Sequence, residues 1–159
     1  MGSNTDAKAH DYGQELPRSS TITTMNAIDL HDTYLVLQPD NRVESVLIDE
    51  HFWPDLMSGA PRTAGAQLVA ETKGRLCAMM EMKGNWGAWE MHPAGDEVLV
   101  LLSGHLRLKL ELPEGEQVVD FPAGHCCVVP AGVWHTADVL EPGTLLGMTA
   151  GSGTQHRAR

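Results

Sequence analysis

At 159 residues the chain has the length of a single domain, and its formal net charge of −10, from 21 acidic against 11 basic residues, argues against any nucleic-acid partner. Sixteen glycines and nine prolines punctuate many short apolar runs, which predicts an all-β sandwich or barrel instead of a helical bundle. No apolar run reaches membrane-spanning length, so no membrane role is expected.

Residues 1–24 are polar and without period, and read as a flexible N-terminal extension. They show neither the apolar segment of a signal peptide nor, with Asp6 where Ser or Thr is required, a myristoylation signal at Gly2, so a cytoplasmic location is expected. Residues 25–150 then form one domain, and 151–159 a polar tail. Tyr34–Leu37 and Ser45–Ile48 read as short strands, and Asp49–Met57 as a short helical turn closed by Gly59. Gln67–Thr72 and Arg75–Met82 read as strands around a Lys73-Gly74 turn. Further strands are predicted over 88–92, 97–102, 105–112, 117–121, 126–129, 133–139 and 144–149. In His105–Leu112 the leucines face inward, while His105, Arg107, Lys109 and Glu111 face solvent. Cys77, Cys126 and Cys127 form no CxxC, and adjacent cysteines on a strand point to opposite faces. They are therefore read as small buried hydrophobes in a reducing compartment.

Chemistry concentrates in Glu90–Glu97 and Pro130–His135. Glu90 and His92, two apart on a strand, project from one face, and Pro93–Asp96 forms a turn that folds Glu97 back beside them. His135 arrives from a distant β-turn-β segment. Imidazole and carboxylate together are ligands for Mn, Fe, Co, Ni, Cu or Zn, and two His with one carboxylate is a non-haem iron pattern. Glu90 has two readings. As a fourth ligand it would neutralise a divalent cation and favour Mn or Fe(II); otherwise it is a general base beside a three-ligand metal. A metal-free polar network is the alternative, in which imidazolium balances the two carboxylates. By the same alternation Trp89, Met91 and Trp134 face outward, while Leu99, Leu101, Ala137 and Val139 are expected to line an apolar cavity. Asp96 reads as a turn residue. His51 is a lid or interface candidate, and His156 belongs to a tail that is either unordered or folded over the barrel mouth.

These segments resemble the two sequence motifs of the cupin superfamily. The first reads Gly84, five residues, Glu90-x-His92, four residues, Glu97, six residues, Gly104; the second reads Gly124, five residues, Pro130-x-Gly132, two residues, His135, three residues, Val139. Glu90 stands where the family usually has a first His, and Val139 where it has Asn. The chain is also similar to small bacterial single-domain cupins with the signature Trp89-Glu90-Met91-His92-Pro93. The resemblance implies a double-stranded β-helix barrel of the jelly-roll type and a homodimer. It also implies a divalent transition metal (Fe, Mn, Zn or Ni) held by His92, Glu97, His135 and, as ligand or catalytic base, Glu90. The activity it implies is dioxygenase- or isomerase-like chemistry on a small organic molecule. A non-catalytic module that binds or senses a metal, sugar or small metabolite is the second class.

Overall fold

The computed structural model describes residues 26–159, so the N-terminal extension expected over 1–24 lies outside the described residues. Period-two alternation becomes strand wherever one face can be buried. In chain order the elements are β1 (Thr33–Leu37), β2 (Val43–Leu47), α1 (Phe52–Leu56), α2 (Ala64–Glu71), β3 (Arg75–Met82), β4 (Ala88–Met91), β5 (Glu97–Leu101), β6 (His105–Leu112), β7 (Gly115–Pro122), β8 (Cys126–Val129), β9 (Trp134–Glu141), β10 (Gly143–Thr149) and β11 (Gln155–Ala158). They form two sheets, ordered β2-β1-β3-β10-β5-β8 and β11-β4-β9-β6-β7. Every pairing is antiparallel, as in a jelly roll.

Between the sheets, Met82, Leu99, Leu101, Val129 and Leu145 of one meet Leu106, Leu108, Leu110, Phe121 and Ala137 of the other. Leu99, Leu101, Leu106, Leu108, Ala137 and Leu145 are 0% exposed to water, so no water-sized void touches them. The apolar cavity expected beside Leu99, Leu101, Ala137 and Val139 is therefore corrected to a filled core at the first three, with Val139 partly buried against it.

A second cluster, with Tyr34, Val36, Val46, Phe52, Ala66, Val69, Leu76 and Ala78, packs the two helices against β1, β2 and β3. Here the expected strand over 67–72 is corrected: these residues belong mostly to α2. Thr63 caps the helix by accepting from the Ala66 N–H, and the Asp55 carboxylate accepts from Arg62 N, Thr63 N and Thr63 Oγ1. Ala66 and Val69, three apart, bury one side. Helix and strand lie so close that a Cβ on Gly65 would stand 2.7 Å from Val46 Cγ1.

Two further expectations change. Cys126 is exposed, and Cys77 and Cys127 are only partly buried; alternation on β8 sends the adjacent Cys126 and Cys127 side chains to opposite faces. The C-terminal residues also form a strand, β11, on the free edge of β4.

Candidate metal centre

The centre is assembled at one end of the sandwich from both sheets. Glu90 on β4 lies directly opposite His135 on β9, and opposite His156 on β11 from the other side. Cross-strand partners share a face, so His156, Glu90 and His135 form one row across three neighbouring strands. His92 follows the end of β4, and its carbonyl accepts the Gly132 N–H at 3.0 Å, which ties the two motif turns together. Gly132 takes the left-handed conformation, φ +78°, which that turn demands. Glu97 begins β5 on the facing sheet. Asp96 acts as a turn residue with a second task, because its carboxylate accepts the Ala131 N–H at 2.9 Å and staples the same two turns.

His92, Glu97 and His135 offer ligand atoms that all lie within 4.8 Å of one another, and all three side chains are buried. His135 Nε2 is 3.0 Å from Glu97 Oε2, and His92 Nε2 is 3.4 Å from Glu97 Oε1. Two ligands at about 2.1 Å from a shared ion stand about 3.0 Å apart in octahedral and about 3.4 Å apart in tetrahedral geometry. Glu90 Oε2 stands further out, 3.8 Å from His92 Nε2.

Hydrogen bonding fixes which nitrogens face the centre. The His135 Nδ1–H donates to the Val133 carbonyl at 3.1 Å. Thr154 Oγ1 gives its own proton to the Gly151 carbonyl and so accepts from His92 Nδ1 at 2.8 Å. With both Nδ1 atoms protonated, the neutral rings point bare Nε2 lone pairs inward. Among the described residues, His92 Nε2, His135 Nε2 and Glu97 Oε2 are buried without a hydrogen-bond partner. Lone pairs aimed at one another without a partner are costly unless a cation lies between them. The residues present therefore fit a divalent metal.

Without a metal, a proton on the imidazole can take the place of the cation. Burial pushes the Glu97 carboxyl up, but the His135 and His92 imidazoles outweigh it and hold it down to about 2. For His135, burial disfavours the charge, yet Glu97 raises the imidazole above its ordinary value. Glu90 is raised by burial and by the negative charge of Glu97, against the three surrounding imidazoles.

Sequence reasoning missed Thr149 and Thr154, and placed Trp86 around the site without a role. Thr149 Oγ1 donates to Glu97 Oε1 at 2.5 Å, and its signal was present, since it is in phase with the buried Leu145 on β10. Thr154 gave no signal in its Gly-Ser-Gly surroundings. Trp86 lies edge-on to His135, ring centroids 5.9 Å apart, and hydrogen-bonds Met82 Sδ. Trp89 and Trp134 face outward as expected, and both lie under the Arg157 guanidinium, 5.3 and 4.5 Å from their ring centroids. His51 is exposed beside Glu50 and takes no part in the centre. Val139, where Asn was the motif expectation, has its N–H bonded to Asn85 Oδ1 at 2.8 Å.

The family model described as an EutQ-like cupin domain matches residues 69–144. No curated protein matches the sequence. Among solved structures, similarity extends to hydroquinone 1,2-dioxygenase PnpCD in complex with Cd2+ and 4-hydroxybenzonitrile (21% identity, 47% of this chain, 56% of that one, TM-score 0.41). Protein NMB1881 from Neisseria meningitidis is similar at 22% identity over 48% of this chain and 74% of that one, TM-score 0.42. The Lactobacillus farciminis oxalate decarboxylase formate complex is similar at 17% identity over 54% of this chain and 26% of that one, TM-score 0.43. The chain thus spans little more than half of the first of these and about a quarter of the last.

Proposed function

This chain belongs to the cupin superfamily, and we propose that it holds a divalent transition metal through His92, Glu97 and His135 and acts there on a small organic molecule. The observation that carries this reading is the set of three buried, unpartnered ligand atoms whose tautomers are fixed from behind. Two nitrogens and one carboxylate oxygen suit Fe(II), Mn, Ni or Zn, and leave ligand positions open. When bound, such a metal supplies Lewis-acid polarisation or one-electron chemistry at an oxygen atom of the molecule.

The chain's own residues do the rest. Glu90 is half-buried at the open side and is the outlying oxygen of the group. Its raised carboxyl is suited to taking up and returning a proton beside the metal, the base role of the two it was given. Trp86 packs His135 from the side, and the leucine core beneath excludes water from the ligands. This arrangement serves a dioxygenase- or isomerase-like reaction on a small molecule. The protein acts as a homodimer in this reading; β2 ends the larger sheet among the described residues and leaves Leu47 71% exposed.

Elemental analysis of untagged full-length protein tests the reading. Near-stoichiometric metal is expected in the wild type and in Glu90→Ala, and its loss in His135→Ala. A wild type that carries no metal and takes none up on reconstitution overturns the metal centre. A loaded protein that is inert in oxygen-uptake and isomerase screens would move the site to a ligand-sensing role.

A further inference from the structure

His156 shares the row of the metal centre but stands too far out to belong to the His92–Glu97–His135 group. Its Nε2 lies 3.8 Å from Glu90 Oε2, and its side chain is 34% exposed. That separation is too long for a hydrogen bond, yet one oxygen atom can bridge it at about 2.8 Å from each side. Glu90 Oε2 is equally 3.8 Å from His92 Nε2, so this one carboxylate oxygen neighbours both His156 and a residue that would hold the metal.

The strand that carries His156 is anchored in place. On its outer face Arg157 lies over Trp89 and Trp134 and pairs with Glu111. Arg159 pairs with Asp138 and donates to the Trp86 and Ala137 carbonyls. The segment leading into the strand is fixed by Thr154 on His92. A short strand exposed along its whole length is thus held by contacts at its start, middle and end, and its one inward ring faces Glu90.

We propose that His156 and Glu90 together receive the hydroxyl of a small molecule whose neighbouring oxygen binds the metal. The hydroxyl donates to the Glu90 carboxylate and accepts from the His156 N–H. The class this selects is a molecule with oxygen functions on adjacent carbons, a 2-hydroxy acid being the simplest case. The filled core keeps it out of the space between the sheets. The proposal rests on the metal centre proposed above.

The test uses Co(II)-loaded full-length protein, with glycolate and acetate as probes read by the visible Co(II) spectrum. Wild type is expected to bind glycolate more tightly than acetate. His156→Ala should cut that preference about tenfold, the value of one hydrogen bond near 1.4 kcal/mol, with Co(II) affinity unchanged. His156→Gln, which keeps an N–H donor, should retain most of it. An undiminished preference in His156→Ala overturns the proposal. A fall in Co(II) affinity in that variant also overturns it and makes His156 a ligand instead. A wild type that takes up no Co(II) is the separate failure of the metal centre itself.

Discussion

Thr154 and the Val133 carbonyl each hold an Nδ1–H, and through it they decide that His92 and His135 present Nε2 to the centre. Supports of this kind are worth about 10–100-fold in metal affinity. Thr154→Val is therefore expected to weaken metal binding by roughly that factor in a chelator competition, with the fold retained. A change under twofold would show that Thr154 does not orient the ring. The same residues set a pH signature in the metal-free protein. Glu97 is held at about 2 against an ordinary 4.5, so its contribution to stability is present above about 4.5 and is lost as pH falls towards 2. His135 is raised, so its contribution is complete below its ordinary 6.5 and is lost as pH climbs through the folded value; Glu90, also raised, loses stability in the same direction. With chelator present, the melting temperature should peak on the acid side of neutrality. With metal present it should instead rise through neutrality, since the ion needs deprotonated imidazoles. Identical profiles with and without metal would contradict both statements.

At the scale of elements, legibility followed periodicity. β6 was plain because Leu106, Leu108, Leu110 and Leu112 alternate with polar residues, and the turns around Glu90–Glu97 and Pro130–His135 were marked by Pro and Gly. That Glu90, His92, Glu97 and His135 meet was also readable, because two-residue spacing and motif turns dictate which way side chains point. Residues 67–71 misled because Leu68 and Val69 suit strand and helix alike, and the deciding group, the Asp55 carboxylate at the cap, lies well upstream. β11 was invisible for a different reason. Its four residues are all exposed and carry no apolar alternation; the tryptophans that hold Arg157 lie on other strands. Arg157→Ala is accordingly expected to speed hydrogen exchange at the β11 amides, worth about 1 kcal/mol for the exposed cation–π contacts. Metal affinity should drop with it, because Thr154 enters the same segment. Unchanged exchange in that variant would place the hold on β11 elsewhere. Gly132→Ala, forced to φ +78°, should cost about 1–2 kcal/mol in denaturant melts.

Across the whole molecule, one core fills the space between the sheets and a second lies under the helices, so stability and site are separable. Leu101→Ala should destabilise by ~2–5 kcal/mol through the cavity it leaves at the opposite end of β5 from Glu97. Metal at a hundredfold excess over its Kd should add about 2.7 kcal/mol by mass action, read as a higher Tm. His135→Ala should abolish that rise, and Leu101→Ala should leave it intact. Among the described residues no helix is long and apolar enough to cross a membrane.

The edge-on contact between Trp86 and His135 has an optical consequence. Indole emission is sensitive to its immediate neighbours, and this indole touches the imidazole at the centre of the site. Its fluorescence therefore reports occupancy directly, without a dye or label. Trp89 and Trp134, under a guanidinium on the opposite face, report instead whether the C-terminal strand is seated. Replacing one set with phenylalanine at a time, over the constant background of Trp53 beside Tyr34 and Phe52, would separate the two signals.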